Sequence, residues 1–299
     1  MARTSDTARN TLARDDMAAR AGALAARALI ATLGMLPYST RLATAGWIAS
    51  RIVSPLAGYP RRIRENLAQV RPDLSPSEVA QIIRAVPDNF GRTIAELFSP
   101  ADFVARIQSL TIEGKGLAAL EQARAEGRPS MLVSGHFGNY DAGRAAVIAQ
   151  GFRVGALYRP LNNHAFNAAY VATISAIGTP LFERGRRGMA EMIRFLKDGG
   201  TLAVLIDQHM GHGAPLKFFG RNAYTATSMA EIALKYGAII VPFYGIRQPD
   251  GVSFRVVLEA PLAQDTPAAM TQALNDSLEA QVRAHMGQWN WMHRRWKPM

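Results

Sequence analysis

The chain has no cysteine. That absence removes thiol nucleophiles, disulfides and thiolate metal sites, and it is compatible with either redox compartment. A Gly-x-Ser-x-Gly nucleophile elbow is also missing, so neither common protein nucleophile of acyl chemistry is offered. No N-terminal apolar run reaches the ~20 residues of a spanning helix. The two best runs, 28–40 and 42–50, are bounded by Arg27, Arg41 and Arg51. Acidic residues are few: 23 Asp+Glu against 34 Lys+Arg give a formal charge of +11. No helix-turn-helix, zinc-ligand or aromatic-platform pattern accompanies that charge. The basic surface therefore points to anionic lipid or an acidic carrier, with no nucleic acid among the expected partners. Internal repeats and low-complexity segments are absent as well.

What is present suffices for one large core with an N-terminal appendage: 299 residues, 48% hydrophobic and 19% charged. Residues 1–17 read as a loose polar tail, and helical patterning runs from about 18 to 57, closed by Pro60. A signal peptide cut near Ala43-Thr44-Ala45 is not favoured, because the charged start is long and the apolar run contains Gly34 and Pro37. Arginines at 3, 9, 14, 20, 27, 41, 51, 61, 62 and 64 ring the apolar stretches. Two readings stand: an interfacial anchor on anionic lipid, or a helical pair packed on the core. The start signal Ser75-Pro76-Ser77-Glu78 opens a long helix toward Phe98, with Ile82, Ile83, Val86 and Phe90 at helical spacing. Strands are expected at 130–135, 153–158, 179–183, 201–206, 238–246 and 252–259. Helices are expected near 140–150, 163–177, 187–198, 227–236 and 266–286, the fourth with a Ser228/Glu231 capping box. Gln248-Pro249-Asp250-Gly251 makes the last two strands an antiparallel hairpin. The expected fold is α/β: a mixed, mostly parallel central sheet layered by helices, spanning 61–299 behind a membrane-associating segment, 1–60.

The densest chemistry lies in Ser134-Gly135-His136-Phe137-Gly138-Asn139-Tyr140-Asp141. On a continuous helix a five-residue step would set His136 and Asp141 about 140° apart. A strand end, a glycine turn and the first turn of a helix bring them within reach. The carboxylate would then fix the imidazole tautomer and leave the far nitrogen free to take a proton. With no thiol or serine elbow, the group activated would be a hydroxyl of the substrate. Asn139 donates to substrate or caps the next helix. Backbone amides around Gly138 are the candidate oxyanion donors. Arg159, held at a strand end by Pro160, suits phosphate or the charge developing in the reaction, while Asp207 and Gln208 end another strand where an α/β sheet gathers its ligands. Arg184, with Arg186 and Arg187, forms a basic run that is either solvated or in contact with acidic groups. His209 and His212 lack a third ligand, so no metal is expected.

The H-x4-D block resembles that of glycerolipid and lipid A acyltransferases. Tyr158-Arg159-Pro160-Leu161-Asn162-Asn163, Ile206-Asp207-Gln208, Phe218-Phe219-Gly220 and the tail Gln288-Trp289-Asn290-Trp291-Met292-His293-Arg294-Arg295-Trp296-Lys297 follow in the order seen in the lipid A late acyltransferases. The similarity runs from about residue 60 onward. It implies transfer of a fatty acyl chain from acyl carrier protein or acyl-CoA to a membrane glycolipid hydroxyl. It also implies His136 and Asp141 as catalytic pair, Arg159 at the site and no cofactor; Asn139, Arg184, Asp207 and Gln208 join as substrate-binding candidates by their positions. The expected setting is the cytoplasmic face of a bacterial inner membrane, on its anionic surface. Most lipid A members carry glutamate where Asp141 stands, so a lysophospholipid or another glycolipid stays open as acceptor. A peripheral lipid-binding protein without activity is the non-enzymatic alternative. The tail tryptophans suit either a membrane interface or packing on the core.

Overall fold

The computed structural model describes residue 22 and residues 24–161 and 163–297. The expected loose tail, with Arg3, Arg9 and Arg14, lies outside the described residues, as do Arg20 and Asn162. Helices come first: α1 (24–34), α2 (Tyr38–Ile48), a π-helical turn (Ala49–Val53), α3 (Ser54–Leu56), α4 (Tyr59–Val70), α5 (Pro76–Leu97) and α6 (Pro100–Ile107). Pro60 does not close a helix here. It occupies the first turn of α4, where its missing N–H costs nothing. The start of α5 is the expected one, with Ser75 and Glu78 capping reciprocally.

The α/β part follows as β1 (Ile112–Glu113), α7 (Gly116–Ala125), β2 (Ser130–Ser134), α8 (Tyr140–Ala149), β3 (Val154–Tyr158), α9 (His164–Ile177), β4 (Leu181–Glu183), α10 (Arg186–Lys197) and β5 (Thr201–Leu205). Next come the hairpin β6 (Ala214–Phe218) and β7 (Arg221–Thr225), then α11 (Ser228–Tyr236), β8 (Ile239–Arg247), β9 (Phe254–Leu258) and α12 (Pro267–Ala284). The main sheet has the order β1-β9-β8-β2-β5-β3-β4 and is parallel throughout except for the β8–β9 hairpin. It is therefore mixed and mostly parallel, as the alternation of strands and helices implied. At the start of α11 the expected capping box does not form: Thr227 is the cap residue, and its hydroxyl donates to Glu231 instead.

The core follows from period-two alternation along fully buried strands. Leu132 faces a cluster with Phe103 of α6, Leu120 of α7 and Val147 of α8. Met131 and Val133 face the opposite layer, with Met192 of α10, Met229 of α11 and Leu274 of α12. A third cluster joins Ile63 of α4 and Val86 of α5 to Phe218, Trp289 and Trp291. α2 lies close along α5 because Gly91 has no side chain: a Cβ there would come within 2.5 Å of the Ala45 carbonyl oxygen. Among the described residues, every exposed large hydrophobic, from Leu24 through Met35, Trp47 and Leu56 to Phe90, belongs to this helical region. No helix among them is long and apolar enough to cross a membrane.

Candidate active site

β2 and β5 are adjacent and parallel, with Ser134 opposite Leu205. Two residues further on, at the carboxyl end of each strand, stand His136 and Asp207. The register that pairs the strands thus also pairs these side chains, and Ile206 N–H donating to Ser134 O carries it past the last ladder position. His136 Nδ1 lies 2.7 Å from Asp207 Oδ1, and the His136 backbone N–H donates to Oδ2 at 2.7 Å. The indole N–H of Trp289 donates to the same Oδ2 at 2.9 Å. A carboxylate receiving three N–H groups is held ionised. Burial by itself would raise the Asp207 pKa, yet the His136 charge and these bonds hold it below the usual carboxylate range.

For His136, burial would lower the pKa, but the charge and hydrogen bond of Asp207 outweigh it and raise the value above the ordinary 6.5. The carboxylate at Nδ1 requires the proton of the neutral ring to sit there, which leaves Nε2 as the basic nitrogen. Gln208 Nε2 lies 3.4 Å from it. The His293 ring stands edge-on to His136 at 5.3 Å. Burial, then the His136 charge, lower the His293 pKa, the opposite direction from His136.

The turn after the histidine is fixed from outside. Gly138 has φ +55 and packs against the Gly245 carbonyl of β8, where a side chain would collide. Asn89 Nδ2 of α5 donates to Gly138 O at 3.0 Å. The amides expected to hold an oxyanion are already engaged: Phe137 N–H donates to Gly135 O, Gly138 N–H to Gln288 O and Asn139 N–H to Gly245 O. They are not free to receive a developing charge.

Three residue expectations change here, the first being Asp207, expected to bind substrate and found buried against His136 and Trp289. Asp141 does not reach His136. Its Oδ1 accepts from Arg144 Nε at 2.8 Å, both side chains being buried. Arg144 in turn donates to the carbonyls of Ile174 and Gly178 at the end of α9. The reason is helical: Asp141 and Arg144 are three apart within α8 and share a face, whereas the histidine precedes the helix. Asn139 is fully buried and engaged within the protein. Its Oδ1 caps α8 by accepting from Asp141 N–H, and its Nδ2 donates to Glu96 at 2.7 Å. Glu96 is itself paired with Arg247 in the interior.

Arg159, Gln208 and His136 line one cavity of ≈ 370 Å³, together with Tyr140, Tyr158 and Tyr170. Arg184 is exposed at the end of β4, its guanidinium 3.9 Å from Met210 Sδ, and its backbone N–H donates to Tyr158 O. On its other side His136 lines a smaller space of ≈ 40 Å³ with Phe90, Ile94, Leu97 and Asn290. Phe90 and Ile94 also line an apolar groove of ≈ 240 Å³ between the N-terminal helices and α5, with Leu29, Leu33 and Ile48. The tail tryptophans pack inward, with Trp289 and Trp291 almost wholly buried. Tyr140 and His293, both against the His136 ring, are site residues that the sequence did not single out. Their nearest signal was position, one inside the H-x4-D block and one in the tail. Among the described residues no group of three or more His, Asp or Glu is arranged to hold a metal ion.

The sequence matches the model of the bacterial lipid A biosynthesis acyltransferase family over residues 13–298. Similar proteins include a phosphatidylinositol mannoside acyltransferase of Mycobacterium tuberculosis, 24% identical over 291 residues, covering 86% of this chain and 90% of the relative. The lipid A biosynthesis lauroyltransferase of Escherichia coli is 24% identical over 246 residues, covering 79% and 78%. A lipid A biosynthesis acyltransferase of Haemophilus influenzae is 22% identical over 180 residues, covering 59% and 56%.

Proposed function

This chain belongs to the bacterial lipid A biosynthesis acyltransferase family and is an acyltransferase, and from that premise we propose that it moves a fatty acyl chain from a thioester to a glycolipid hydroxyl with His136 as general base. The observation that carries the reading is the Asp207–His136 pair at 2.7 Å, with Nε2 turned away from the carboxylate. The acceptor hydroxyl gives its proton to Nε2 as its oxygen attacks the thioester carbonyl. Asp207 stabilises the imidazolium that forms. Collapse of the tetrahedral adduct breaks the C–S bond, and the imidazolium returns the proton to the departing thiolate. Proton, acyl group and thiol balance without a cofactor.

The cavity at Arg159 suits a phosphate-bearing headgroup, because a guanidinium pairs bidentately with phosphate. The apolar groove beyond Ile94 suits the acyl chain. We assign the donor to acyl carrier protein or acyl-CoA, and the acceptor to a lipid A precursor on the cytoplasmic face of the inner membrane. The helices up to about residue 60 would rest on anionic lipid, with 61–299 carrying the chemistry. Support comes from the exposed apolar residues of those helices and from the lipid substrates named for two relatives. The test is thioester consumption with labelled acyl donors, alongside lipid mass spectrometry of cells with and without the gene. The expected product is a membrane glycolipid one acyl chain heavier, absent with His136→Ala. A folded His136→Ala protein that turns over at near wild-type rate would remove the base from the mechanism.

A further inference from the structure

We infer that the side-chain amide of Asn290 donates a hydrogen bond to the oxyanion formed on the thioester carbonyl, an inference that rests on the acyl-transfer reading above. Attack at the carbonyl places negative charge on oxygen, and a preorganised donor within about 3 Å is the usual means of stabilising it. The amides of Phe137, Gly138 and Asn139 are all committed to carbonyl acceptors. Gln208 faces Nε2, where the acceptor hydroxyl itself has to sit.

Asn290 is tied to the base through the backbone: its N–H donates to the His136 carbonyl at 3.0 Å, beside the bridge between Phe137 and Trp289. Its amide orientation is set by chemistry. Met292 N–H donates to the side chain at 3.3 Å, and only the oxygen can accept. Nδ2 is therefore the other end, and it makes no hydrogen bond among the described residues. Asn290 lines the small space shared with His136, Ile94 and Leu97, and Phe90 and Ile94 line both that space and the apolar groove. A thioester whose chain enters that groove would bring its carbonyl to this point, with the acceptor arriving from the Arg159 side of the ring.

A turn-capping role for the same residue would rest on Oδ1 alone, and Asn290→Asp separates the two. Aspartate keeps the oxygen that accepts from Met292 but loses the donor. The experiment measures kcat and KM for acyl-CoA and acyl carrier protein donors in wild type, Asn290→Asp, Asn290→Ala and His136→Ala. Rates are read on the alkaline plateau, because a new carboxylate would raise the His136 pKa, and melting temperature and tryptophan emission are followed alongside. The expected result is a kcat roughly 10²–10³-fold lower in both Asn290 variants, with KM for the thioester little changed and Asn290→Asp folded. A kcat near wild type in Asn290→Asp, whatever Asn290→Ala does, overturns the donor role and leaves a turn cap. If Asn290→Asp does not fold, Asn290→Ala decides by the same readouts. Absence of thioester turnover in wild type, or its persistence in His136→Ala, would instead sink the underlying reading, and this inference with it.

Discussion

At the scale of single residues the site divides its two aspartates between unlike tasks. In the proposed mechanism Asp207 governs the proton. The base must be neutral to act, so kcat/KM should rise with pH through the raised His136 pKa, above the ordinary imidazole value. Removing the Asp207 charge leaves burial dominant, and burial lowers an imidazole pKa. In Asp207→Asn the rising limb of the pH–rate profile should therefore move to lower pH, while the rate on its plateau drops. A limb that stays in place would mean another group titrates there. Asp141 instead belongs to a buried pair with Arg144 that secures the end of α9. Asp141→Asn should cost about 3 kcal/mol of stability by leaving a buried guanidinium uncompensated, measured by denaturant unfolding, with the pH limb unmoved. Arg159→Ala should raise KM for a phosphorylated acceptor roughly tenfold, the scale of one charge-assisted hydrogen bond, with kcat less affected.

At the scale of elements, α5 both supports the site and carries the N-terminal helices. Asn89, Thr93 and Glu96 lie on the side facing the histidine turn and Arg247, while Gly91 admits α2. Gly91→Leu would press into the Ala45 carbonyl and should destabilise the protein by about 1–3 kcal/mol, read as a lowered melting temperature. Most elements were legible in the sequence, because buried parallel strands write continuous apolar runs and helices write caps and 3.6-residue spacing. Ser130–Ser134 and Thr201–Leu205 are examples of the first, and the Ser75/Glu78 box of the second. The β6–β7 hairpin was not legible, since its strands carry polar residues such as Lys217 and Asn222 without clean alternation. His136 and Asp207 were each visible as chemistry at a strand end. Their partnership was not, because which strands lie side by side depends on the crossover order, and no local pattern encodes a 71-residue separation. The nearer Asp141 was the natural candidate until helix α8 turned it toward Arg144.

At the scale of the whole molecule, the exposed apolar residues gather on the N-terminal helices and α5 of a strongly basic protein. Replacing Met35, Trp47 and Leu56 together by serine should weaken sedimentation with anionic vesicles while leaving the melting temperature unchanged. High salt should release the wild-type protein only in part, because burial of apolar surface is not screened. Complete release by salt would reduce the membrane contact to charge alone. The proposed chemistry, by contrast, depends on the sheet: its strand order sets β2 beside β5 and thereby gives the histidine its carboxylate. The most direct measurement of that claim is kcat for thioester-dependent acyl transfer by Asp207→Asn at the pH optimum, set beside folded Asp141→Asn. The expected fall for Asp207→Asn is roughly 10³–10⁴-fold, as for loss of the orienting carboxylate in other histidine bases, against little change in Asp141→Asn. Near wild-type turnover by folded Asp207→Asn, with Asp141→Asn inactive, would contradict the assignment and return the orienting role to Asp141.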